Sequence, residues 1–266
     1  MKKTSLFALM IAYGSAIAGT MGAVSQPEFW YLVGGAGYSH SRDANITVDP
    51  QVWDSAVGGY SDDLGSAPLL FFGVGRQISD YFRLDVRGER RGDYHYSNPQ
   101  TGVSSTPGFT GDSRIRKFKL TSEALMLNGW LDLGVLSDRL MWQSGSFAMQ
   151  PFVGAGIGVN YSKVHDFHTI GLPFGNRNEI ASVNQLVTGS EFAWRASAGL
   201  SAQLTERSIV SVGYNYFDGG DIPFPSYILS STSAPNASLG RTGVSTPPWN
   251  GKFRANEVYA ELRVKF

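Results

Sequence analysis

The chain has 266 residues, a formal net charge of zero and no cysteine. These values exclude disulfides, thiolate metal sites and lipoprotein processing, and they give no electrostatic attraction for nucleic acid. Beyond the first 25 residues, no apolar run is long enough for a membrane helix.

The N-terminus predicts a secretory signal peptide. Lys2 and Lys3 precede an apolar run from Leu6 to Ala18, and small residues follow it. Cleavage after Ala18 or after Ser25 satisfies the small-x-small rule, and the site after Ser25 is favoured. We therefore divide the chain into a signal peptide, residues 1–25, and one domain, residues 26–266.

Eight segments of the domain alternate apolar and polar residues, the period that places successive side chains on opposite faces of a strand. The predicted strands are Phe29–Ser39, Leu69–Ile78, Tyr81–Arg91, Ile115–Leu133, Gln150–Lys163, Ser190–Leu204, Ile209–Phe217 and Lys252–Phe266. In the fourth strand, the pattern predicts one outward and one inward set of side chains. The outward set is Phe118, Leu120, Ala124 and Met126, and the inward set is Lys117, Lys119, Thr121 and Glu123.

The connections alternate between long and short. Links at Ser79–Asp80 and Thr205–Ser208 are tight, whereas four other links are long and rich in Gly, Ser, Asn, Asp and Pro. Long loops on one side and short turns on the other are typical of outer-membrane barrels. The link Gly134–Met149 is an exception, because it is long where a turn is expected. It predicts a short helix or longer flanking strands, and ten strands is the alternative count.

The last strand carries an uninterrupted alternation. Its apolar face consists of Val258, Ala260, Leu262, Val264 and Phe266, and charged residues and Tyr259 form the other face. Lipid outside and a polar lumen inside produce this pattern, and a membrane protein without helices must be a closed barrel. We predict an all-β fold, an eight-stranded antiparallel up-and-down transmembrane β-barrel with four long extracellular loops in a Gram-negative outer membrane.

Two further motifs resemble the small outer-membrane β-barrel families, the OmpA-type transmembrane and opacity-type surface proteins. Gln150–Val159 (QPFVGAGIGV) looks like a strand common in those proteins, and Gly73–Ile78 followed by Tyr81–Asp85 looks like their second hairpin. The last strand resembles their assembly signal, which implies recognition of Val258, Ala260, Leu262, Val264 and Phe266 by the barrel-assembly machinery. The resemblance also implies contact with outer-membrane lipid and lipopolysaccharide. Family functions range over adhesion, serum resistance and envelope integrity, so the fold transfers better than the function.

Charged residues on the predicted inner faces are the main candidate cluster. They are Arg83, Asp85, Arg87, Glu89, Lys119, Glu123, Arg195, Glu257, Glu261 and Arg263. An eight-stranded barrel has an interior that side chains can fill, and buried charges there must pair. Mixed signs favour a salt-bridge plug over a narrow ion path, because a selective pore usually shows a ring of one sign.

Three patterns that suggest other chemistry are weaker. Gly154–Gly158 is interpreted as strand glycine and not as a nucleotide loop, because the alternation continues beyond it. His165 and His168 are interpreted as solvated loop residues, and no metal or cofactor is predicted. A lipid hydrolase would need an aligned His and Ser, and Tyr38–Ser41 is the nearest approach.

Aromatic residues on the predicted loops are candidate contacts with a host surface molecule, because side chains on loops held by a rigid scaffold suit binding. The candidates are Trp53, Tyr60, Tyr94, Tyr96, Tyr227 and Trp249. The leading hypothesis is a non-enzymatic surface protein whose barrel anchors long loops for adhesion, host or envelope interaction. The alternatives are a small porin-like channel and, third, an outer-membrane lipid hydrolase.

Overall fold

In the computed structural model of the protein, the described residues are 29–48, 61–101, 113–135, 140–144, 147–172, 178–183, 186–225, 227–230, 244–245 and 249–266. The predicted signal peptide, residues 1–25, lies outside these ranges, as do Trp53 and Tyr60. Within the described part of the chain, no helix has the length and apolar character needed to cross a membrane.

Eight long strands form one closed antiparallel barrel. They are β1 (Trp30–Ser41), β2 (Gly65–Gln77), β3 (Phe82–Thr101), β4 (Ser113–Asp132), β5 (Phe147–Leu172), β6 (Val187–Gln203), β7 (Ser208–Asp221) and β8 (Lys252–Lys265). Each strand pairs with its neighbours in sequence, and β1 pairs with β8 from Tyr31–Lys265 to His40–Asn256. The sheet therefore closes on itself, which confirms the eight-stranded prediction, and within the described ranges the barrel has no ninth or tenth strand.

The periplasmic side has the short connections. Residues 78–81 join β2 to β3, and residues 204–207 join β6 to β7, where the Ser208 amide donates to the Thr205 hydroxyl at 3.0 Å. The link after β4 contains a short helical turn, which was one of the two predicted alternatives, and a separate short strand that was not predicted. It has a 3-10 turn at Leu133–Val135 and a short strand, Trp142–Ser144, that extends the sheet beside the start of β5.

Three adjacent strands rise far above the others. β3 and β4 have 20 residues each and β5 has 26, whereas a tilted strand crosses a bilayer in about 9–11 residues. The predicted ends at Arg91 and Lys163 were too early. The register shifts between Arg91 and Tyr94 in β3. A second shift, between β4 and β5, occurs at Asp166, whose φ is 53°. A bulge adds one residue to a strand and interrupts the period of two, so the pattern seemed to end there.

Segments from the long connections extend this tall wall sideways. The short strand Asn178–Val183 pairs with the upper part of β5, Tyr227–Ser230 pairs with Asn178–Val183, and Val244–Ser245 pairs with Tyr227–Ser230. Separately, Thr47–Val48 pairs with Trp249–Asn250. The upper parts of β3–β5 and these segments form the structure that we call the extracellular wall.

The barrel interior has two levels of different chemistry. The lower level combines buried charges with aromatic residues such as Tyr31, Phe71 and Trp130. The upper level is an apolar core with Phe118 at its centre, packed against Phe167 and Phe224. Outside the lower level, Leu125 and Leu127 are exposed, as lipid-facing side chains are.

This division corrects the facing predicted for the fourth strand. Phe118, Leu120, Ala124 and Met126 were predicted to point outward, but all four are buried inside the barrel. Above the membrane the outer face of the strand meets water and not lipid. Apolar side chains such as Phe118 and Leu120 are therefore most stable inside the barrel there, and charged ones outside. Ala124 and Met126 lie lower, and alternation turns them inward because Leu125 and Leu127 face the lipid.

Candidate functional site

The buried charges of the described residues balance. Five arginines and five carboxylates are buried in the lumen: Arg83, Arg87, Arg91, Arg195 and Arg263, with Asp85, Glu89, Asp132, Glu257 and Glu261. Because moving an unpaired charge out of water is expensive, such a set is stable only when each member has a partner.

At the lower end, Asp85 is the main acceptor. Arg87 donates to it at 2.8 Å, and Asn128 and the indole N–H of Trp130 donate at 2.7 and 2.9 Å. Arg87 also donates to Glu261 at 2.8 Å. One carboxylate thus joins residues from β3 and β4, and Arg87 links them to β8 across the lumen.

Further up, Glu257 takes the same role. Arg91 donates to it at 2.6 Å, Ser39 at 2.8 Å and Asn215 at 3.2 Å. Glu89 pairs with Arg91 at 2.9 Å and with Arg195. These bonds connect β1, β3, β6, β7 and β8, so they bind the walls of the barrel to one another.

Trp130 lies at the centre of the lower lumen. The guanidinium groups of Arg83 and Arg87 lie 4.7 and 4.6 Å from its ring centroid, and Phe152 packs edge-on at 5.6 Å. Gly154 on the neighbouring strand provides the space, because a Cβ atom there would collide with the indole. The glycine motif of β5 therefore makes room inside the barrel for a large side chain.

Eight of the ten charges predicted for the interior are buried in the lumen, and they lie in the network just described. The other two, Lys119 and Glu123, were wrong. Lys119 pairs with Asp166 on the outer face, and Glu123 pairs there with Arg90 and Lys163, because both lie on the part of β4 that water surrounds.

The sequence prediction also missed two interior charges, Arg91 and Asp132. Arg91 continues the alternation of Arg87 and Glu89, so the pattern itself contained the signal. Asp132 did not stand out, because it closes a stretch of β4 that looks apolar on both faces. Its role becomes visible only when Arg83 is placed 3.3 Å away.

Three of the predicted loop contacts are core residues. Tyr94, Tyr96 and Trp249 are buried in the upper core, where Tyr94 packs on Phe253 at 5.2 Å and Tyr96 stacks on Phe118 at 4.5 Å. All three were wrong as exposed contacts. β3 continues through Tyr94 and Tyr96, and alternation turns their rings inward. Trp249 lies in a separate two-residue strand, and its ring packs on Phe167 and Phe224. The backbone of Tyr227 lies in the extracellular wall, but its side chain is not among the described parts of the structure. Trp53 and Tyr60 lie outside the described residues altogether.

The outer face of the extracellular wall is charged. Glu123 lies between Arg90 at 3.4 Å and Lys163 at 2.9 Å, and Lys119 pairs with Asp166 at 2.7 Å. The hydrogen bond to Asp166, and then its negative charge, raise the pKa of Lys119 above its usual value. This lysine is therefore cationic at any physiological pH.

The residues considered for hydrolysis do not converge. Ser39 points into the lumen toward Glu257, whereas His40 lies on the other face of β1 with its Nδ1 2.7 Å from the Ser66 hydroxyl. Successive residues of a strand face opposite ways, so this pair cannot act on one substrate. Among the described residues, no three His, Asp or Glu side chains converge as a metal site.

The apolar residues of the predicted assembly signal lie on the outer face of β8. Val258, Leu262, Val264 and Phe266 are exposed, as is the small side chain of Ala260. The recognition of this face by the assembly machinery stays a prediction.

Comparison with known proteins finds one curated relative and several solved barrels. The chain is 25% identical over 206 residues to the outer membrane protein PagN of Salmonella typhimurium, which covers 74% of this chain and 77% of PagN. The solved structures include OprG of Pseudomonas aeruginosa (TM-score 0.48, 14% identity, 90% and 96% of the two chains). They also include the Neisserial surface protein A (TM-score 0.41, 15% identity, 91% and 100%). No protein-family profile matches.

The closed antiparallel sheet, the exposed apolar band below a charged outer face and the similarity to PagN agree with one another. The protein is a small eight-stranded β-barrel of the Gram-negative outer membrane.

Proposed function

We propose that the protein is a non-enzymatic surface protein, whose barrel anchors the extracellular wall and its connecting segments for adhesion to a host surface or to neighbouring envelope molecules. The observation that carries this proposal is the height of β3–β5. These strands have 20, 20 and 26 residues, and the upper part of β5 pairs with Asn178–Val183, a segment of a long connection.

The upper core supports the proposal. Fixing a chain outside the membrane costs conformational entropy, and burial of Phe118, Tyr94 and Phe253 offsets that cost. A rigid platform of this kind can hold binding segments in a fixed arrangement, so less entropy is lost when a partner binds. The lumen below, filled by paired charges, leaves the extracellular part as the region best suited to interaction.

A deletion series tests this proposal. Residues 49–60, 102–112, 173–186 and 226–248 are each replaced by a short Gly-Ser connector, and each variant is expressed in a non-adherent Gram-negative strain. We expect at least one replacement to abolish binding to cultured host cells, serum survival or envelope integrity. The exposed periplasmic-turn variant Glu206→Ala is the control and should retain all three.

Each variant must first show the mobility shift on boiling in SDS that a folded barrel gives. If all four folded variants keep adhesion, serum survival and envelope integrity, the proposal is wrong.

One observation favours the alternative of a small channel. Several buried polar atoms of the lumen have no hydrogen-bond partner among the described residues, among them Arg195 Nη2, Ser197 Oγ and Arg83 Nη2. Such atoms normally bind water, so part of the lower lumen can be hydrated. The upper core lies between this region and the outside, which favours the surface-protein proposal.

A further inference from the structure

A small cavity lies at the extracellular rim of the barrel, where β7 and β8 meet the segment that follows β1. β7 ends at Asp221 and β8 begins at Lys252, so this place is on the side of the long connections. We call it the rim cavity. Its volume is about 200 Å³, and it is lined by Asn45, Asp221, Ile222, Asn250, Gly251 and Lys252.

Two unusual backbone conformations position the polar groups of the rim cavity. The register of β7 against β8 shifts between Asp218 and Asp221, and Gly220 has a φ of 81°. The extra residue makes Asp221 the register partner of Lys252. Asn45 has a φ of 46°, a left-handed conformation that Asn tolerates better than most residues. Bulges and strained residues of this kind often direct side chains into functional sites.

Main-chain hydrogen bonds fix the segments around the cavity. The Lys252 N–H donates to the Ala44 carbonyl at 2.6 Å, and the Ile222 N–H donates to the Gly251 carbonyl at 2.8 Å. A Cβ atom at Gly251 would lie only 3.2 Å from the ring of Phe224, so the floor of the cavity is closely packed. The cavity is therefore preformed, and a preformed site loses less entropy when a ligand binds.

The polar groups of the rim cavity carry no net charge. Lys252 pairs with Asp221 at 3.2 Å, and both side chains are exposed. The carboxamides of Asn45 and Asn250 are exposed too, and neither makes a hydrogen bond to another described residue. Each carboxamide offers two N–H donors and an acceptor oxygen, and a carboxylate offers several acceptor positions. The buried side chain of Ile222 adds an apolar surface.

This combination disfavours ions as ligands. An anion needs an unpaired cation, but Asp221 neutralises Lys252, and the ammonium group would repel a metal cation. The described residues of the cavity contain one carboxylate, whereas hard cations take many oxygen ligands. A sugar fits better, because each of its hydroxyl groups can donate and accept a hydrogen bond and its C–H faces are apolar.

We propose that the rim cavity binds one uncharged sugar unit of a surface glycan, with Asn45, Asn250 and Asp221 as the hydrogen-bonding residues. The carboxylate accepts charge-assisted hydrogen bonds from hydroxyl groups, and Ile222 contacts the apolar face of the ring. A cavity of about 200 Å³ has room for a single ring, so the rest of a glycan extends into solvent. The role of this site in adhesion rests on the function proposed above, whereas sugar binding itself does not.

Binding of single sugars to the refolded barrel tests the proposal. Saturation-transfer NMR is recorded in detergent micelles with the methyl glycosides of glucose, galactose, mannose and N-acetylglucosamine. Methyl glucuronide and a sulfated methyl glucoside are the charged probes. We expect at least one uncharged sugar to bind saturably, and both charged sugars to bind more weakly than it does.

A double variant removes both carboxamides from the cavity. Asn45→Gly, Asn250→Ala should lower the affinity for the bound sugar about ten-fold, because two hydrogen-bonding groups are lost. Glycine replaces Asn45 because it adopts a positive φ without strain. The boiling shift in SDS shows that each variant is folded.

A matched double variant controls for the two kinds of change. Asp43→Gly also replaces a residue of positive φ, at 58°, and Gln203→Ala removes an exposed carboxamide at the periplasmic end of β6. This control should bind the sugar as the wild type does. Failure of all four uncharged sugars to bind, or equal affinities of the wild type and the cavity variant, would overturn the proposal.

The variant Asp221→Asn tests the neutrality of the site. It keeps a hydrogen-bonding group but removes the carboxylate that pairs with Lys252. Methyl glucuronide should therefore bind several-fold more tightly to this variant than to the wild type. Tighter binding of the charged sugars than of the uncharged ones by the wild type would contradict the proposal, because the cavity would then act as a cationic site.

Two further measurements identify the source of the sugar. Binding to host cells, and to polysaccharide extracted from the bacterium's own envelope, is compared between the wild type and the Asn45→Gly, Asn250→Ala variant. Loss of host-cell binding identifies a host glycan, and loss of polysaccharide binding identifies an envelope glycan. Loss of neither would contradict the role of a surface glycan as the ligand.

The loop replacements separate this proposal from the proposed function. All four keep the six lining residues of the rim cavity, so they should bind the methyl glycoside even where they lose adhesion. If a loop replacement abolishes adhesion while no uncharged sugar binds to the wild type, the sugar site is wrong and the proposed function stands.

Discussion

Glu257 is the residue on which the upper lumen depends. It accepts hydrogen bonds from Arg91, Ser39 and Asn215, which lie on three different strands. The variant Glu257→Ala should lower the free energy of unfolding by about 3–5 kcal/mol, because it leaves Arg91 buried with one partner fewer. Urea unfolding in lipid vesicles measures this, with the exposed-turn variant Glu206→Ala as control. A loss no larger than that of the control would contradict a structural role for the pair.

Gly154 allows a test of the interpretation that the glycine motif makes room for the indole. Gly154→Val should destabilise the barrel by about 1–3 kcal/mol, because its side chain would collide with Trp130. Gly88→Val is a matched control, since a Cβ atom at Gly88 would have its nearest contact at 4.0 Å, with the Phe72 carbonyl oxygen. In a double-mutant cycle, Gly154→Val should lower the free energy of unfolding only slightly when it is made in the Trp130→Ala variant, because the ring with which it collides is then absent. Full additivity of the two changes would refute the interpretation.

Among the strands, β4 shows what alternation can and cannot predict. The pattern located the strand to within two residues at its N-terminal end and one at its C-terminal end, because the alternation of apolar and polar residues is a property of the sequence itself. It assigned the faces wrongly, because the apolar face of a strand points outward where lipid surrounds the barrel and inward where water surrounds it. Lys119, Glu123 and Phe118 lie above the membrane, and sequence alone gives no height along a strand. β8, by contrast, lies mostly within the membrane, so its apolar side chains, such as Val258 and Leu262, point outward.

The two levels of the interior should respond separately to mutation. Phe118→Ala should destabilise the upper core by about 3–5 kcal/mol, because it removes the packing contacts of a large buried ring. We expect the extracellular wall to become sensitive to protease on intact cells, while the barrel below still shifts on boiling in SDS. Leu127→Ala, at a lipid-facing position, should leave protease resistance unchanged. Loss of the SDS shift together with protease resistance would mean that the barrel unfolds as one unit.

For the whole molecule, the strand count and closure followed from sequence, whereas the height of the wall did not. Bulges near Asp93 and Asp166 broke the alternation, and the rings of Tyr94 and Tyr96 were therefore assigned to loops. Pairings such as that between Asn178–Val183 and Tyr227–Ser230 join distant connections, and segments of four to six residues are too short for a pattern that predicts them.

The filled interior predicts a barrel that does not conduct. In planar lipid bilayers, refolded protein should give no discrete current steps, because paired charges and the upper core occupy the lumen in series. A porin in the same bilayer is the positive control, and the boiling shift in SDS confirms that the protein is folded. Reproducible steps from the folded wild type would move the function to transport.

The contact between β1 and β8 has a consequence for the speed of folding. The Ser39–Glu257 bond joins residues 218 positions apart, and the same strands pair along ten register positions. Bringing such distant segments together costs loop-closure entropy before any contact repays it, so topologies of this kind fold slowly. The charges that depend on this contact, Arg91 and Glu257 among them, meet only when the first and last strands do. Until then the chain must cross the periplasm with its lumen groups in water.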